Sequence, residues 1–181
     1  NCGSLERHRM LTLSLKREEI PFEYRPSDSS VLHFAPEAAL SPMLSETFEN
    51  YVTADLHRDD VDRQLNIENI GEQDMSFEVV LASHVLEHVD DKKASSEIFR
   101  VLKPGGILIA MVPFVQAWAE TYENTDVESD HGRTLHFGQA DHVRYFGSDF
   151  PDRIEQGGLT LRKEIVAYGA DCIQYSLMRG D

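Results

Sequence analysis

The chain has 181 residues, of which 41% are hydrophobic and 27% are charged, a composition typical of one globular domain. Its 32 acidic residues against 17 lysines and arginines give a net charge of −15. That field repels phosphate backbones and anionic lipid, so no nucleic acid and no membrane is expected among the partners. Two cysteines cannot form a disulfide framework, and neither a signal peptide nor a long apolar span is evident, so we expect a cytoplasmic protein.

The first 30 residues predict a helical extension. Apolar residues recur among basic ones from Leu5 to Arg17, which is the pattern of an amphipathic helix that ends before Pro21 and the turn-like stretch 26–30. We expect this helix to pack on one side of a sheet that starts near residue 31.

An alternation of strands and helices follows. Val31–Ala35 predicts a short buried strand, and Pro36 suits the first position of a helix that reaches about Phe48. Tyr51–Asp55 predicts a second strand and Val61–Ile67 a third. The few residues of 56–60 are too short for a full crossover helix, so a stub is expected there.

The strongest strand signal is the apolar run Phe77–Ala82, which does not alternate and therefore suits a strand buried on both faces. Asp90 or Asp91 can cap the next helix, and Pro104–Gly106 should end it before a strand at Ile107–Val112. This alternation predicts an α/β fold with a parallel sheet.

The remainder of the chain is less regular. Residues 114–143 show no clear period, which is typical of a lid or an interaction loop. Ser148 is expected to cap a short helix that ends at Gly157 and Gly158, and two closing strands are predicted at Leu159–Ala167 and Cys172–Met178.

Polar residues at strand ends are the first candidates for chemistry. In doubly wound sheets an acidic residue at the end of the second strand, about 20 positions after the first strand–helix turn, binds ribose hydroxyls. The spacing from Ala35 to Asp55 meets this rule. A solvated strand-end carboxylate explains Asp55 equally well.

Two blocks of sequence resemble a known family. Ser76–Val89 and Phe99–Gly106 are similar to the corresponding blocks of class I S-adenosylmethionine-dependent methyltransferases, in particular the small type 11 group. The resemblance runs from Val31 to about Met178 and implies a methyltransferase domain over 31–181. It also implies a Rossmann-like, doubly wound, seven-stranded sheet with one antiparallel strand, with S-adenosylmethionine as cofactor and S-adenosylhomocysteine as product.

The resemblance also assigns cofactor roles by position. Asp55, with Leu56 beside it, would hold the ribose; Asn66 and Ile67 would flank the adenine; Ser83 and His84 would lie beside the methionine part and the methyl group. His88 would pack under the cofactor.

The first loop departs from the family pattern. It reads Phe34, Ala35, Pro36 and Glu37 after His33, and it has no glycine through Ala39, although glycine lets a backbone approach a ligand closely. Glu37 could take over as the partner of the cofactor ammonium, or it could be a first-turn carboxylate stabilised by the helix dipole. A loop that has lost the cofactor would leave a non-catalytic module.

The acceptor side is predicted from the loop at 130–147. His142 is the first candidate for a base and His84 the second, and Asp141 could either orient His142 or cap a turn. His131, His136 and His142 are spaced by five and six residues, which matches no common zinc pattern, so no metal is expected. The candidate acceptor contacts are Trp118, Tyr122, Asp141, Arg144 and Tyr145.

The sequence therefore predicts a methyltransferase that acts on a small-molecule acceptor. A non-catalytic ligand-binding or interaction module with the same fold is the main alternative. A nicotinamide-dependent dehydrogenase is disfavoured because the first loop lacks the glycine fingerprint.

Overall fold

A computed structural model describes residues 5–165 of the chain. Its centre is a sheet of five parallel strands in the order β3-β2-β1-β4-β5, and two further strands form a small antiparallel ribbon, β6 with β7. The strands are β1 (Ser30–Phe34), β2 (Asn50–Asp55), β3 (Arg63–Gln64), β4 (Phe77–Ser83), β5 (Leu102–Met111), β6 (Tyr122–Glu123) and β7 (Arg144–Tyr145).

Helices cover both faces of the sheet. They are α1 (Glu6–Lys16), α2 (Ser41–Thr47), α3 (Asp91–Val101), α4 (Asp130–Phe137) and α5 (Phe150–Glu155), with 3₁₀ turns at Pro26–Asp28 and Leu86–His88. On one face α3 packs with α5 through a core that includes Ile98 and Ile154. On the other face Leu11 of α1 and Leu44 of α2 pack on the sheet. Burial of these apolar side chains from both sides holds the sheet in place.

The predicted first helix and the main strands are confirmed. β4 is buried at all seven positions, as its continuous apolar run indicates, and β1 and β2 begin one residue earlier than expected. Residues 56–60 contain no helix. Asp90 is the N-cap of α3 and accepts hydrogen bonds from the backbone N–H groups of Lys92 and Lys93.

Several predicted boundaries are wrong. The second helix begins at Ser41 rather than at Pro36, because residues 37–41 first form a turn in which Leu40 N–H and Ser41 N–H both donate to the carbonyl of Glu37. The third strand pairs only at Arg63 and Gln64. The fifth strand already begins at Leu102 and passes through Pro104–Gly106 with a shift of register against β4.

Over residues 5–165, the structure does not contain the predicted seven-stranded sheet with one antiparallel strand. Five strands are parallel, and the antiparallel pair β6–β7 forms a separate ribbon. The predicted closing strand at 159–167 is irregular over its described residues 159–165, and the one at Cys172–Met178 lies outside the described residues. Asp149, not Ser148, precedes α5, and the Ser148 hydroxyl instead donates to the carbonyl of Gln116.

Within residues 5–165, none of the helices is long and apolar enough to cross a membrane.

Candidate functional site

Two adjacent strands end in sharply bent backbone at the carboxyl edge of the sheet. Ala35 directly follows β1 with φ 49°, and His84 directly follows β4 with φ 54°, although neither is glycine. The left-handed region is costly for such residues and is often found at functional sites. The His84 N–H donates to the carbonyl of Met111, which fixes the bend against β5. This edge is where parallel α/β sheets bind ligands.

The first loop is tied to α1 through Glu37. Oε1 of Glu37 lies 2.7 Å from the Arg7 guanidinium and 2.8 Å from Nε2 of His8. Burial would raise the pKa of Glu37, but the hydrogen bonds and charges of His8 and Arg7 outweigh it and lower the pKa below its ordinary value. Glu37 is therefore a carboxylate anion at neutral pH. Its other oxygen, Oε2, is buried and has no hydrogen-bond partner among the described residues.

Asp55 stands at the end of β2, one strand away from β1. Its Oδ1 accepts hydrogen bonds from the N–H groups of His57 and Arg58, at 2.8 and 3.1 Å. Arg58 then donates to the carbonyl of Pro36, which links the ends of the first and second strands. The adjacent Leu56 is 51% exposed.

The other predicted adenine and first-loop residues lie along the same edge. Asn66 is exposed, and its side-chain oxygen accepts from the N–H of Glu68. Ile67 is buried, and so are Phe34 and Ser83 at the ends of β1 and β4. The Ser83 hydroxyl is also without a hydrogen-bond partner among the described residues.

A cavity of about 420 Å³ opens at the end of β4. Its lining is mostly polar and joins α1, the turn after β4 and the segment after α4; it consists of Arg7, His84, Glu87, His88, Pro113, Gly138, Gln139, His142 and Tyr145. Asp55, Asn66 and Ile67 are not part of this lining. The residues predicted to bind the ribose and the adenine of the cofactor therefore lie beside this cavity, along the same edge of the sheet.

Both candidate bases face this cavity, but their environments differ. The His142 side chain is buried, and its Nδ1 lies 3.0 Å from the carbonyl oxygen of Phe137. Burial lowers the pKa of His142, and the nearby His88 lowers it further. The His84 side chain is 32% exposed, with Nδ1 3.1 Å from Oε1 of Glu87.

Only some of the residues predicted to contact the methyl acceptor lie close together at the cavity. Tyr145 lines the cavity, whereas the exposed Trp118 and Tyr122 pack edge to face beside it. Asp141 is 69% exposed on its side chain and contacts His88. The guanidinium of Arg144 is buried and donates to the carbonyls of Leu86 and Val89 and to Glu123, so it ties the loop to the core.

Sequence reasoning missed Glu87, which is fully buried against the cavity. Glu87 follows His84 by three residues, and the bend after β4 brings its Oε1 to 3.1 Å from Nδ1 of His84. This short spacing is the signal that could have identified the pair. Arg7 and Gln139 were also missed. No local pattern indicates that α1 would reach the end of β4.

The residues at this edge fit a nucleoside donor that carries an amino acid. Glu37 Oε2 and Ser83 Oγ are buried polar atoms without a partner among the described residues, a state that costs free energy unless a ligand satisfies them. An ammonium group offers N–H donors and a ribose offers O–H donors, and both oxygen atoms can accept hydrogen bonds from such groups.

Comparison with known proteins agrees with this geometry. Residues 33–110 match a family model described as a methyltransferase domain, and this range includes the end of β1 and all of β2 and β4, with the strand ends described above. This match identifies a methyltransferase domain within the chain. The protein is accordingly a methyltransferase that uses S-adenosylmethionine.

Solved structures show the methyltransferase fold over most of the chain. An S-adenosylmethionine-dependent methyltransferase from Mesorhizobium loti superposes with a TM-score of 0.65 at 12% identity, over 97% of this chain and 92% of the other. The YcgJ protein of Bacillus subtilis superposes with a TM-score of 0.56 at 17% identity, over 83% of this chain and 78% of the other. The 1,6-didemethyltoxoflavin-N1-methyltransferase of Burkholderia thailandensis, with bound 1,6-didemethyltoxoflavin and S-adenosylhomocysteine, has a TM-score of 0.56 at 13% identity, over 86% of this chain and 67% of the other. No curated protein sequence matches the chain at a significant level.

Proposed function

We propose that this methyltransferase transfers the methyl group of S-adenosylmethionine, leaving S-adenosylhomocysteine, to a small polar molecule held in the cavity at the end of β4. The observation that carries the proposal is the position of this cavity, whose lining includes His84, the residue directly after β4, and Arg7 of α1. A volume of about 420 Å³ suits a small molecule rather than a protein segment or a nucleic acid. The bound substrate of the Burkholderia thailandensis enzyme is also a small molecule, which supports this class of acceptor.

The methyl donor is proposed to lie along the ends of β1, β2 and β4. Asp55 would accept hydrogen bonds from ribose hydroxyls, since its carboxylate is held at the strand end by a turn that uses only Oδ1. The main chain of Phe34, Ala35 and Pro36 would approach the donor where Ala35 adopts its left-handed angle. Glu37 would take the ammonium, Ser83 and His84 would flank the methionine part, and Leu56, Asn66 and Ile67 would surround the nucleoside. His88 would lie on the acceptor side of these contacts.

His84 is the better proposed base of the two histidines. Its ring is partly exposed within the cavity, and Glu87 beside Nδ1 can orient it and stabilise the protonated ring, as carboxylates do for catalytic histidines. The donor supplies an electrophilic methyl group when bound. His84 would take the proton that the acceptor loses, and the protein otherwise contributes alignment and exclusion of water.

Binding of S-adenosylhomocysteine to the whole chain tests the donor site. Calorimetry should show binding by the parent protein and a roughly 10- to 100-fold weaker affinity for Asp55→Asn, since hydrogen bonds to charged groups contribute about 1.5–3 kcal/mol. Asparagine keeps an oxygen for the turn, so the local backbone should be retained. Asp59→Asn is the matched control, because Asp59 is an exposed carboxylate four residues away. Equal affinities for the parent and Asp55→Asn would refute the assignment of Asp55.

The absence of binding to S-adenosylmethionine and S-adenosylhomocysteine by the parent protein would favour the non-catalytic module instead. A cytoplasmic location is part of the proposal because two cysteines give no disulfide framework. Fractionation of the native cells tests it.

A further inference from the structure

The cavity also contains a cluster of metal-ligating groups, one of which is the Glu87 that neighbours His84. Glu87, His88 and His142 each offer one ligand atom, and these atoms all lie within 4.8 Å of one another. Glu87 and His88 belong to the 3₁₀ turn after β4, whereas His142 comes from the loop before β7. Val143 N–H donates to the carbonyl of Glu87 at 2.9 Å, which holds the two segments together.

Glu87 is the unusual member of the cluster. Its side chain is 0% exposed, and neither carboxylate oxygen makes a hydrogen bond with a described residue. The nearest basic group is His84, whose Nδ1 is 3.1 Å from Oε1. A buried carboxylate without partners is very unfavourable, so buried charges are normally paired or coordinate a metal ion. This carboxylate lines the cavity and is therefore available to a cation there.

The two histidines are prepared to act as ligands. Nδ1 of His142 lies 3.0 Å from the carbonyl oxygen of Phe137. Nδ1 of His88 lies 3.2 Å from the carbonyl oxygen and 3.3 Å from Oδ2 of Asp141. Each Nδ1 must donate to these oxygen atoms, which leaves the lone pair on Nε2. Histidines that bind metals commonly have this second interaction with a carboxylate or a backbone carbonyl.

From this arrangement we propose that Glu87, His88 and His142 form a binding site for a divalent transition metal ion of the zinc class. Two imidazoles and one carboxylate are a known ligand set for such ions, and three protein ligands leave a coordination position open. All three residues line the cavity, so the open position would be available there to water or to an oxygen or nitrogen atom of the acceptor. Only this last step rests on the proposed function.

The spacing of the ligand atoms is compatible with a small closure around the ion. Ligand atoms around a tetrahedral zinc ion are about 3.4 Å apart, given bonds of about 2.1 Å. The ligand atoms here lie within 4.8 Å of one another, so they would have to move closer together to bind the ion. The His88 side chain is 28% exposed and has room for this movement. The histidine spacing in the sequence gave no indication of this site, because His142 pairs in space with Glu87 and His88 rather than with His131 and His136.

Metal binding is measured on the full chain after treatment with a chelator and dialysis. Titration with Zn²⁺ against a chromophoric chelator should show one more bound ion per chain in the parent than in Glu87→Gln, His88→Gln or His142→Gln, or an affinity at least about 10-fold higher. Co²⁺ should give a visible absorption band that these variants lose. His131→Gln, an exposed histidine on α4, should behave as the parent does.

Two measurements separate this proposal from misfolding and from failure of the proposed function. Metal-free Glu87→Gln should melt at the same temperature as the parent or higher, because the substitution removes a buried charge, and Zn²⁺ should raise the melting temperature of the parent only. Calorimetry with S-adenosylhomocysteine on metal-free protein reports the donor site independently. Equal stoichiometry and affinity for Zn²⁺ in the parent and all three variants would overturn the metal site, whatever the result with the nucleoside.

Discussion

His8 and Glu37 join the first helix to the loop that follows the first strand, with 2.8 Å between Nε2 of His8 and Oε1 of Glu37. Arg7 contacts the same oxygen, so two basic groups hold the carboxylate in place. Oε2 is buried and has no hydrogen-bond partner within residues 5–165. The glycine-free loop therefore presents one oriented, negatively charged oxygen atom at the end of β1.

We expect Glu37→Gln to bind S-adenosylhomocysteine roughly 10-fold more weakly or worse, since an amide loses the charge that attracts the ammonium. Calorimetry measures the affinity. Glu46→Gln is the control because Glu46 is an exposed carboxylate on α2. An affinity equal to that of the parent would mean that Glu37 serves only to anchor α1.

His84→Gln should slow methyl transfer by about 100-fold or more, the usual contribution of general base catalysis, when the acceptor must lose a proton. The acceptor is found by screening small hydroxyl and amine compounds with a radiolabelled methyl donor. His57→Gln replaces an exposed histidine outside the cavity and should keep the parent rate. Unchanged turnover in His84→Gln would refute its role as the base.

Gly138→Ala should damage the acceptor cavity. Gly138 ends α4 with φ 82°, and an added Cβ would overlap the hydroxyl of Tyr145, which lines the cavity with it. The left-handed angle alone costs a non-glycine residue about 1–2 kcal/mol.

We therefore expect a lower melting temperature and a higher KM for the acceptor in Gly138→Ala. Gly71→Ala is the control, since a Cβ there meets no atom within 4 Å. If both variants keep the KM of the parent, the Tyr145 side of the cavity does not contact the acceptor.

The buried His33 should make the fold sensitive to acid. Burial lowers its pKa to about 4, although the charge of Glu37 opposes the shift, and its Nδ1 is 2.6 Å from the Tyr51 hydroxyl. The unfolded chain has the ordinary pKa of 6.5 and so binds a proton first as the pH falls. Stability from this group is therefore complete above pH 6.5 and decreases as the pH falls towards 4, by roughly 3 kcal/mol in all.

Urea unfolding measured between pH 4 and pH 7.5 tests this expectation. The free energy of unfolding of His33→Gln should decrease less over that range than the value for the parent. His57→Gln, which replaces an exposed histidine, should keep the pH dependence of the parent. If stability depended on pH in the same way in His33→Gln and in the parent, the lowered pKa of His33 would be contradicted.

Asp91 holds a buried ionic cluster at the start of α3. Its two oxygen atoms accept from Arg153 at 2.7 and 3.0 Å, and Arg144 lies 3.6 Å away. Asp91→Ala leaves these arginines without that partner, so we expect a loss of about 3–5 kcal/mol in the free energy of unfolding. Lys93→Ala, which removes the exposed pair with Asp90, should cost less than about 1 kcal/mol. Similar losses in the two variants, measured by urea unfolding, would contradict this view of the cluster.

The sequence predicted the parts of the fold that depend on local pattern. The continuous apolar run of β4 requires burial on both faces, and Asp90 can satisfy the free N–H groups of α3 from its own position in the chain. Pro36 misled the prediction of the second helix because a proline fits a turn as well as a helix start. The helix α4 was not predicted, since only Phe137 among its residues is buried and no apolar stripe results.

The candidate site was harder to predict because its groups meet only through tertiary contacts. Ser83 and His84 could be placed at a strand end, and both lie there. By contrast, the burial of Glu87 depends on the segment that returns with Val143 and Arg144 to cover it. The contact of Arg7 with Glu37 spans 30 positions of sequence, which no local spacing rule covers.

Because Arg7 of α1 lines the cavity, the choice of the first residue decides whether a shortened protein keeps the whole site. A fragment that starts at residue 30, where β1 begins, would retain the five parallel strands described above and still lack the partners of Glu37 and one side of the acceptor space. Recombinant pieces or chimeras intended for activity assays should therefore include α1, and an inactive fragment without it would say nothing about the enzyme.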